Sequence, residues 1–194
     1  MSNRREEILN TAQDLFNKYG YEKVTMREIA EALAISPGNL TYYFPKKIDI
    51  LTALLRENWT TPQEEKAESL DDLRRYIRRM AEGVRQERFF FSVSDLQRLE
   101  PAFFEDNREA VNHFKDVLFH MLGSLQRCGV LSEKMSDQWK KDYIEVIMLS
   151  HISWAREAGK ESTYTALSLD DFVDSQMRLL EPFVINERMT KKNV

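Results

Sequence analysis

Between Ala32 and Ile48 this 194-residue chain carries no Asp or Glu, although 32 of its residues are acidic. The same stretch ends in Lys46 and Lys47. A carboxylate repels phosphate and opposes the counterion release that strengthens binding to a polyanion, so a surface cleared of acids and edged with lysines suits phosphate contact. A helix opening after Pro45 would also turn its positive N-terminus and the amides around Lys46 toward an anion. The plainer alternative is a helical hairpin with a neutral face. Other constellations are weaker. His113, Asp116 and His120 stand at i, i+3 and i+7 of one helix face, a spacing able to gather a metal ion. Ligand histidines on a helix more often stand four apart and no second helix offers a closing set, so no metal is expected. Cys128 beside Arg127 has an electropositive neighbour suited to a redox thiol, but without a resolving partner it reads as a small apolar residue. No glycine-rich phosphate loop, nucleophile elbow or zinc-spaced cysteine pair is present. The chain is expected to be no enzyme and to need no cofactor.

The elements that must position the acid-free stretch are legible around it. Thr25-Met26-Arg27-Glu28 predicts a capping box, the Thr side chain accepting the Glu28 amide while Glu28 reaches back. The helix it opens has Ile29, Ala30 and Leu33 inward. Ser36-Pro37 opens a second helix, with Ser as N-cap and Pro where no amide partner is needed. That helix carries Gly38, Asn39, Leu40, Thr41, Tyr42, Tyr43 and Phe44. Two short helices joined by about three residues form a helix-turn-helix, whose second helix fits the DNA major groove. An earlier helix, from about Arg4 to Tyr19, has Ile8, Ala12, Leu15, Phe16 and Tyr19 at core spacing and Gly20 as C-cap. A later one, from about Lys46 to Asn58, turns Ile48, Leu51, Leu54 and Leu55 inward.

Residues 4–58 closely resemble the N-terminal DNA-binding domain of TetR-type bacterial transcriptional regulators. The resemblance rests on Leu15-Phe16-Asn17-Lys18-Tyr19-Gly20-Tyr21, Thr25-Met26-Arg27-Glu28-Ile29-Ala30, Ile35-Ser36-Pro37-Gly38-Asn39-Leu40, Tyr43-Phe44 and Lys46-Lys47. It implies that Arg27, Pro37, Gly38, Asn39 and Tyr42 face base edges. Asn39 is the sharpest of these, because an amide pairs bidentately with adenine. The resemblance also implies that Thr25, Thr41, Tyr43 and Lys47 hold phosphates and fix register, with Ser36 and Lys46 at the two helix starts beside them. Two departures stand out. Ala34 occupies a turn position where the family usually has Gly; at positive φ it would cost on the order of 1 kcal/mol. Thr41 stands where many members carry Tyr, which removes a phenol that commonly reaches a phosphate.

Composition fits a small all-α regulator. Hydrophobic residues make up 42% of the chain, with 11 Phe, 7 Tyr and 3 Trp for a core and only 6 Gly and 5 Pro. A single cysteine excludes an intrachain disulfide and suits a reducing cytosol. The N-terminus enters an amphipathic helix at once, so no signal peptide is expected, and no apolar run approaches the roughly 20 residues of a membrane span. The expectation is a cytoplasmic protein without a membrane partner. The formal net charge is −4, and residues 1–58 balance eight basic against eight acidic residues. DNA affinity must then come from charge placement and dimerisation.

The expected organisation is an N-terminal three-helix helix-turn-helix domain over 1–58 and a larger helical effector-binding and dimerisation domain over 59–194, with Thr60-Thr61-Pro62 as the break. Leu70, Leu73, Ile77, Met80, Ala81 and Val84 trace one helix face. Its opposite face, with Arg74, Arg75, Arg78, Arg79 and Arg85, is read as solvated and paired to Asp71 and Asp72. A helix opening near Pro101 bears Phe114, Leu118, Met121, Leu122 and Leu125 and closes at Gly129. Next comes a helix with two stripes, Trp139, Tyr143, Val146, Ile147 and Trp154 on one, Ile144, Met148 and Ile152 on the other. A last long helix carries Leu169, Phe172, Val173, Met177, Leu180, Phe183 and Val184. Helices apolar on two sides need cover on two sides, which predicts a homodimer through a four-helix interface, with a fully buried monomer core as the alternative. Phe89, Phe90, Phe91, Phe103, Phe104, His113, Tyr143, His151 and Trp154 are candidates to line an effector pocket, against the plainer reading that they pack the core. The expected function is a sequence-specific repressor released from a near-palindromic operator on double-stranded DNA by a small-molecule effector. The competing reading is a helical ligand-binding or scaffolding dimer with a vestigial DNA-binding head.

Overall fold

The computed structural model describes residues 4–58, 66–86, 88–89, 101–157 and 167–185, without the side chains of 55–58, 101–107 and 110. The expected break at Thr60-Thr61-Pro62, the inward position of Leu55 and the tail from Thr190 lie outside the described residues. The described residues form eight α-helices: α1 (Arg4–Tyr19), α2 (Met26–Ala32), α3 (Pro37–Tyr43), α4 (Lys47–Asn58), α5 (Leu70–Gln86), α6 (Pro101–Arg127), α7 (Asp137–Glu157) and α8 (Leu169–Arg178). The fold is all-α. The described residues fall into two compact units, one drawn from Met1–Thr60 and Arg85–Arg108, the other from Thr61–Val84 and Glu109–Val194.

The first unit, the head, is organised by α1. Ile8, Leu9, Ala12 and Phe16 recur at helical spacing and are buried together with Ile29, Ala30, Leu40, Phe44, Ile50, Leu51 and Leu54. Tyr19 does not join them: it is 51% exposed, with Lys18 lying over its ring. Gly20 ends the helix at φ 90°, its amide donating to Phe16 O at 2.9 Å, a backbone state that a side chain disfavours. The head also holds Phe89, whose buried ring lies 5.3 Å from Phe16. Asn17 fastens this segment at both ends, donating from Nδ2 to Gln86 O at 2.6 Å and accepting the Phe89 amide at 3.3 Å. The head therefore takes in more than the expected 1–58.

In the second unit, the body, Ser69 and Asp72 cap α5: Ser69 N donates to Asp72 Oδ2 at 2.9 Å and Asp72 N to Ser69 Oγ at 3.3 Å. Leu73, Tyr76, Ile77, Met80, Ala81 and Val84 are buried on its inner face. The arginines opposite are not simply solvated. Arg75 pairs with Asp72 as the spacing predicts, but Arg74 and Arg78 reach Asp174 and Asp170 of α8. Leu118, Met121, Leu122 and Leu125 of α6 are buried, as are Tyr143, Ile144, Ile147, Met148 and Trp154 of α7. Val146 departs from its predicted stripe, being 52% exposed beside Leu149 at 67%.

The expected last long helix is shorter. Ser168 caps α8 through Asp171 N at 3.1 Å, but the helix stops at Arg178 and a 3₁₀ turn follows over Glu181–Phe183. Pro182 lacks an amide for the α-helical ladder. Beyond it the chain pairs with the segment after α6: Ser132 N donates to Phe183 O at 2.8 Å and Ile185 N to Val130 O at 3.0 Å. Leu180 is still buried, and Phe183 lies 4.5 Å from the Trp139 ring. Apolar periodicity thus continued through a helix, a turn and a bridge.

Candidate nucleic-acid interface

The helix-turn-helix is built by its caps. Thr25 Oγ1 accepts Glu28 N at 3.2 Å, and Thr25 N donates to Glu28 Oε2 at 2.7 Å. The bond from Thr25 N, and then one that the Thr25 hydroxyl donates to the same Oε2, hold the Glu28 carboxyl below its ordinary range. Ser36 Oγ accepts Asn39 N at 3.1 Å, with Pro37 in the first turn of α3. Between the helices Ala34 sits at φ 53°, its amide donating to Glu31 O and the next amide to Ala30 O, each at 3.0 Å. The turn keeps its left-handed residue without the glycine that would adopt it at lowest cost.

These caps present α3 edge-out. Leu40 is fully buried and Phe44 nearly so, anchoring the helix, whereas Ser36, Pro37, Gly38, Asn39, Thr41, Tyr42 and Tyr43 are exposed. Tyr42 is 82% exposed and meets Tyr43 edge-to-face at 5.3 Å. The Asn39 side chain makes no hydrogen bond with another described residue, leaving its amide open on the outer face. Arg27 projects from α2 with its side chain 81% exposed, Nε donating to Glu31 Oε1 at 2.8 Å, a bond that raises its pKa.

The expected phosphate contacts divide. Thr41 Oγ1 donates to Gly38 O at 3.1 Å, and Thr25 Oγ1 to Glu28 Oε2 at 2.8 Å. Phosphate oxygens only accept, so either hydroxyl must leave its present partner to bind one. The amide of Lys46, expected to face an anion, donates instead to Asp49 Oδ2 at 2.8 Å, because an acid three residues on caps α4 internally. Lys46 keeps an exposed side chain. Lys47 is turned inward, with Nζ 2.8 Å from both Tyr21 O and Val24 O. Residues to which the sequence assigned no part in the interface, Glu31, Asp49 and Tyr21, are the partners of the basic ones. Glu31 and Asp49 were detectable from i+4 and i+3 spacing, Tyr21 only from the fold.

The expected effector residues do not gather around a described cavity. Phe89 belongs to the head core, a correction caused by its fit against Phe16. Phe90 and Phe91 lie outside the described residues, as do the side chains of Phe103 and Phe104. Tyr143 is buried, stacks on Trp139 at 5.2 Å and donates to Gln176 O at 3.2 Å; burial pushes its pKa up. His151 is 1% exposed, Nδ1 donating to Ile147 O at 2.8 Å, with Nε2 3.4 Å from Ile77 O. Trp154 stacks on Phe172 at 4.6 Å and donates to Leu167 O at 3.0 Å. His113 is half-buried on α6. One cleft in the body, about 700 Å³, is lined by Leu70, Asp71, Arg74, Asp174, Met177, Arg178, Glu181 and Val184. Another, about 420 Å³, lies around Gln126, Glu133, Asp137 and Lys140. Phe89, His113, Tyr143, His151 and Trp154 line neither.

His120 Nδ1 lies 2.8 Å from the backbone oxygen of Asp116, and among the described residues no group of three His, Cys, Asp or Glu is placed to hold a metal. Cys128 is exposed. No described helix is long and apolar enough to cross a membrane.

Comparison with known proteins agrees with this geometry. Residues 8–54 match the model for bacterial regulatory proteins of the tetR family. The transcriptional regulator RutR of Escherichia coli K12 is 37% identical over 57 residues, which cover 29% of this chain and 27% of RutR. The match thus spans about a quarter of that relative. The transcriptional repressor AcnR of Corynebacterium diphtheriae is 25% identical over 185 residues, 94% of this chain and 95% of AcnR. A TetR-family regulator from Marinobacter aquaeolei superposes with a TM-score of 0.76 at 25% identity, over 96% of this chain and 93% of that one.

Proposed function

We propose that this chain, which belongs to the TetR family of bacterial regulatory proteins, is a homodimeric, sequence-specific DNA-binding repressor of promoters with near-palindromic operators. The observation that carries the reading is α3 itself. Leu40 at its middle and its C-cap Phe44 are buried, and every other residue from Ser36 to Tyr43 is exposed with no carboxylate among them. Exposed amide, phenol and proline on a helix of this motif suit base edges in the major groove. Dimerisation supplies the affinity that a charge-balanced head lacks, and the exposed apolar pair Val146 and Leu149 on α7 offers a surface for it. Relief of repression by a small molecule bound in the body completes the reading, with coupling of about 1–3 kcal/mol sufficient to change occupancy 5–150-fold. No catalytic role is assigned, and the cytoplasm is the proposed compartment.

Genomic-fragment selection with purified protein at physiological salt, where non-specific binding is suppressed, tests this directly. Recovery of one inverted-repeat motif is the expected result. Recovery of fragments with no common motif, or of none, would remove the DNA-reading function and leave a ligand-binding dimer with an idle head.

A further inference from the structure

Resting on the reading of a small-molecule effector bound in the body, we propose that its site is the cleft between the start of α5 and the end of α8, and that the cleft takes an apolar zwitterion, an amino acid or short peptide with both ends free. α5 and α8 are laced by ion pairs in a regular register. Arg78 pairs with Asp170, and Arg74, one turn earlier on α5, pairs with Asp174, one turn later on α8. The two helices therefore run antiparallel at this contact, with about four residues of each to a rung. One further turn brings Leu70 and Asp71 opposite Arg178. There the lacing stops. The signs are reversed, with the acid on α5 and the base on α8, and among the described residues neither Asp71 nor Arg178 makes an ion pair. At this rung the cleft of about 700 Å³ opens instead, with both residues in its lining. Each has a near neighbour of opposite sign that is already taken. Asp71 stands four residues before Arg75, which pairs with Asp72, and Arg178 stands four after Asp174, which pairs with Arg74.

A ligand that closes this rung must carry both signs. The planar guanidinium of Arg178 offers a fork to a carboxylate, and the Asp71 carboxylate accepts from an ammonium. Glu181, in the turn beyond α8, adds a second acid to the lining. A simple anion would meet those two carboxylates, and a simple cation would cover Arg178 without giving it a partner. A neutral apolar molecule would strip water from all three charges and return no hydrogen bond. A zwitterion answers each of them. Leu70, Met177 and Val184 supply apolar surface in the same lining for a hydrocarbon side chain. The volume falls within the roughly 300–1,000 Å³ of small-ligand sites.

Titration calorimetry on the full-length protein with leucine, leucyl-leucine and trileucine tests the assignment without DNA. At least one of the three should bind saturably. For that probe, acetylating the amine or amidating the carboxylate should each weaken binding about tenfold or more. Arg178→Gln should bind the free probe and its amide alike, and Asp71→Asn the free and acetylated forms alike. Both residues are exposed and stand outside the ion-pair lacing, so both variants should melt as wild type does. Methyl NMR of wild type locates the site, since the Met177 methyl should shift as the probe is added. No saturable binding by any probe, discrimination against the amide that survives in Arg178→Gln, or a Met177 methyl that stays in place would overturn the assignment. Operator binding is measured separately. The probe that binds should lower operator affinity about 5–150-fold, and an operator affinity unchanged at saturating probe would remove the effector role from the cleft. Should wild type bind no operator, the repressor function is refuted, while calorimetry still decides whether the cleft holds a zwitterion.

Discussion

Single residues here set both the cost of the motif and its information. Ala34 holds a left-handed conformation at φ 53°, which a β-carbon penalises and glycine does not. Ala34→Gly should therefore stabilise the head by about 1 kcal/mol, visible as a raised denaturant midpoint at unchanged slope; an unchanged or lowered midpoint would mean the turn tolerates its β-carbon. Stability and the proposed readout separate at Asn39. Its backbone amide serves the Ser36 cap, while its side chain faces outward. Asn39→Ala should accordingly leave the melting temperature alone and relax specificity at one base pair by about 1–3 kcal/mol. Binding-site selection with the variant checks this, and an identical motif from both proteins would remove Asn39 from the readers. Arg27 was legible as exposed and basic. That its guanidinium rests on Glu31 in the free chain makes the proposed contact with a base an exchange of partners rather than a simple gain.

At the scale of elements, what could be read from sequence was whatever is decided within about four residues. The Thr25 capping box and the Ser36 cap with Pro37 appear in the fold at the residues that encoded them, because each motif satisfies its own helix end. Partners further along the chain were not legible. Arg78 has glutamate and aspartate within its own helix, yet it pairs with Asp170. Phe89 reads like its aromatic neighbours, yet it fills the head beside Phe16. The end of α8 was missed because the apolar period runs on past Pro182 while the backbone turns to pair with Val130 and Ser132. The caps also carry a pH signature. Glu28 is held below its usual range by bonds from the Thr25 backbone and hydroxyl, and Asp72 by the Ser69 hydroxyl and the Glu68 and Ser69 amides. Carboxyls depressed in the fold contribute stability that is present above their unfolded values, near 4, and is lost as pH falls through the lower folded ones. His151 acts at higher pH. Burial lowers its pKa, opposed by the Ile147 and Ile77 carbonyls, so the unfolded chain takes up a proton first and body stability declines as pH drops below about 6.5. Melting curves from pH 7 to 3 should show both losses. Glu28→Gln and His151→Leu should each flatten its own window; a profile unchanged by His151→Leu between pH 6.5 and 5 would assign that window elsewhere.

For the whole molecule, the proposed function depends on joining two heads. Each head balances its own charge, and one α3 reads only a few base pairs, so a single half-site is a weak target. Two heads on one dimer convert the second contact into an intramolecular event, which multiplies avidity by about 10²–10⁴ when the spacing matches the site. A two-fold dimer places its two recognition helices in grooves about one turn apart, roughly 10 base pairs between half-site centres. The element that must supply this coupling should show apolar surface that the monomer does not use. On α7 that surface is Val146 and Leu149, exposed at 52% and 67% while Ile147 and Met148 between them are buried. Placing a carboxylate there leaves the monomer core untouched and makes its burial in any subunit contact costly. Leu149→Glu should therefore keep the helical content and head stability of wild type, run as a monomer in sedimentation, and lose about 10²-fold or more in affinity for a full operator. Its affinity for an isolated half-site should be unchanged. If the variant remains dimeric and binds the full operator normally, α7 does not carry the interface, and the avidity must come through another face.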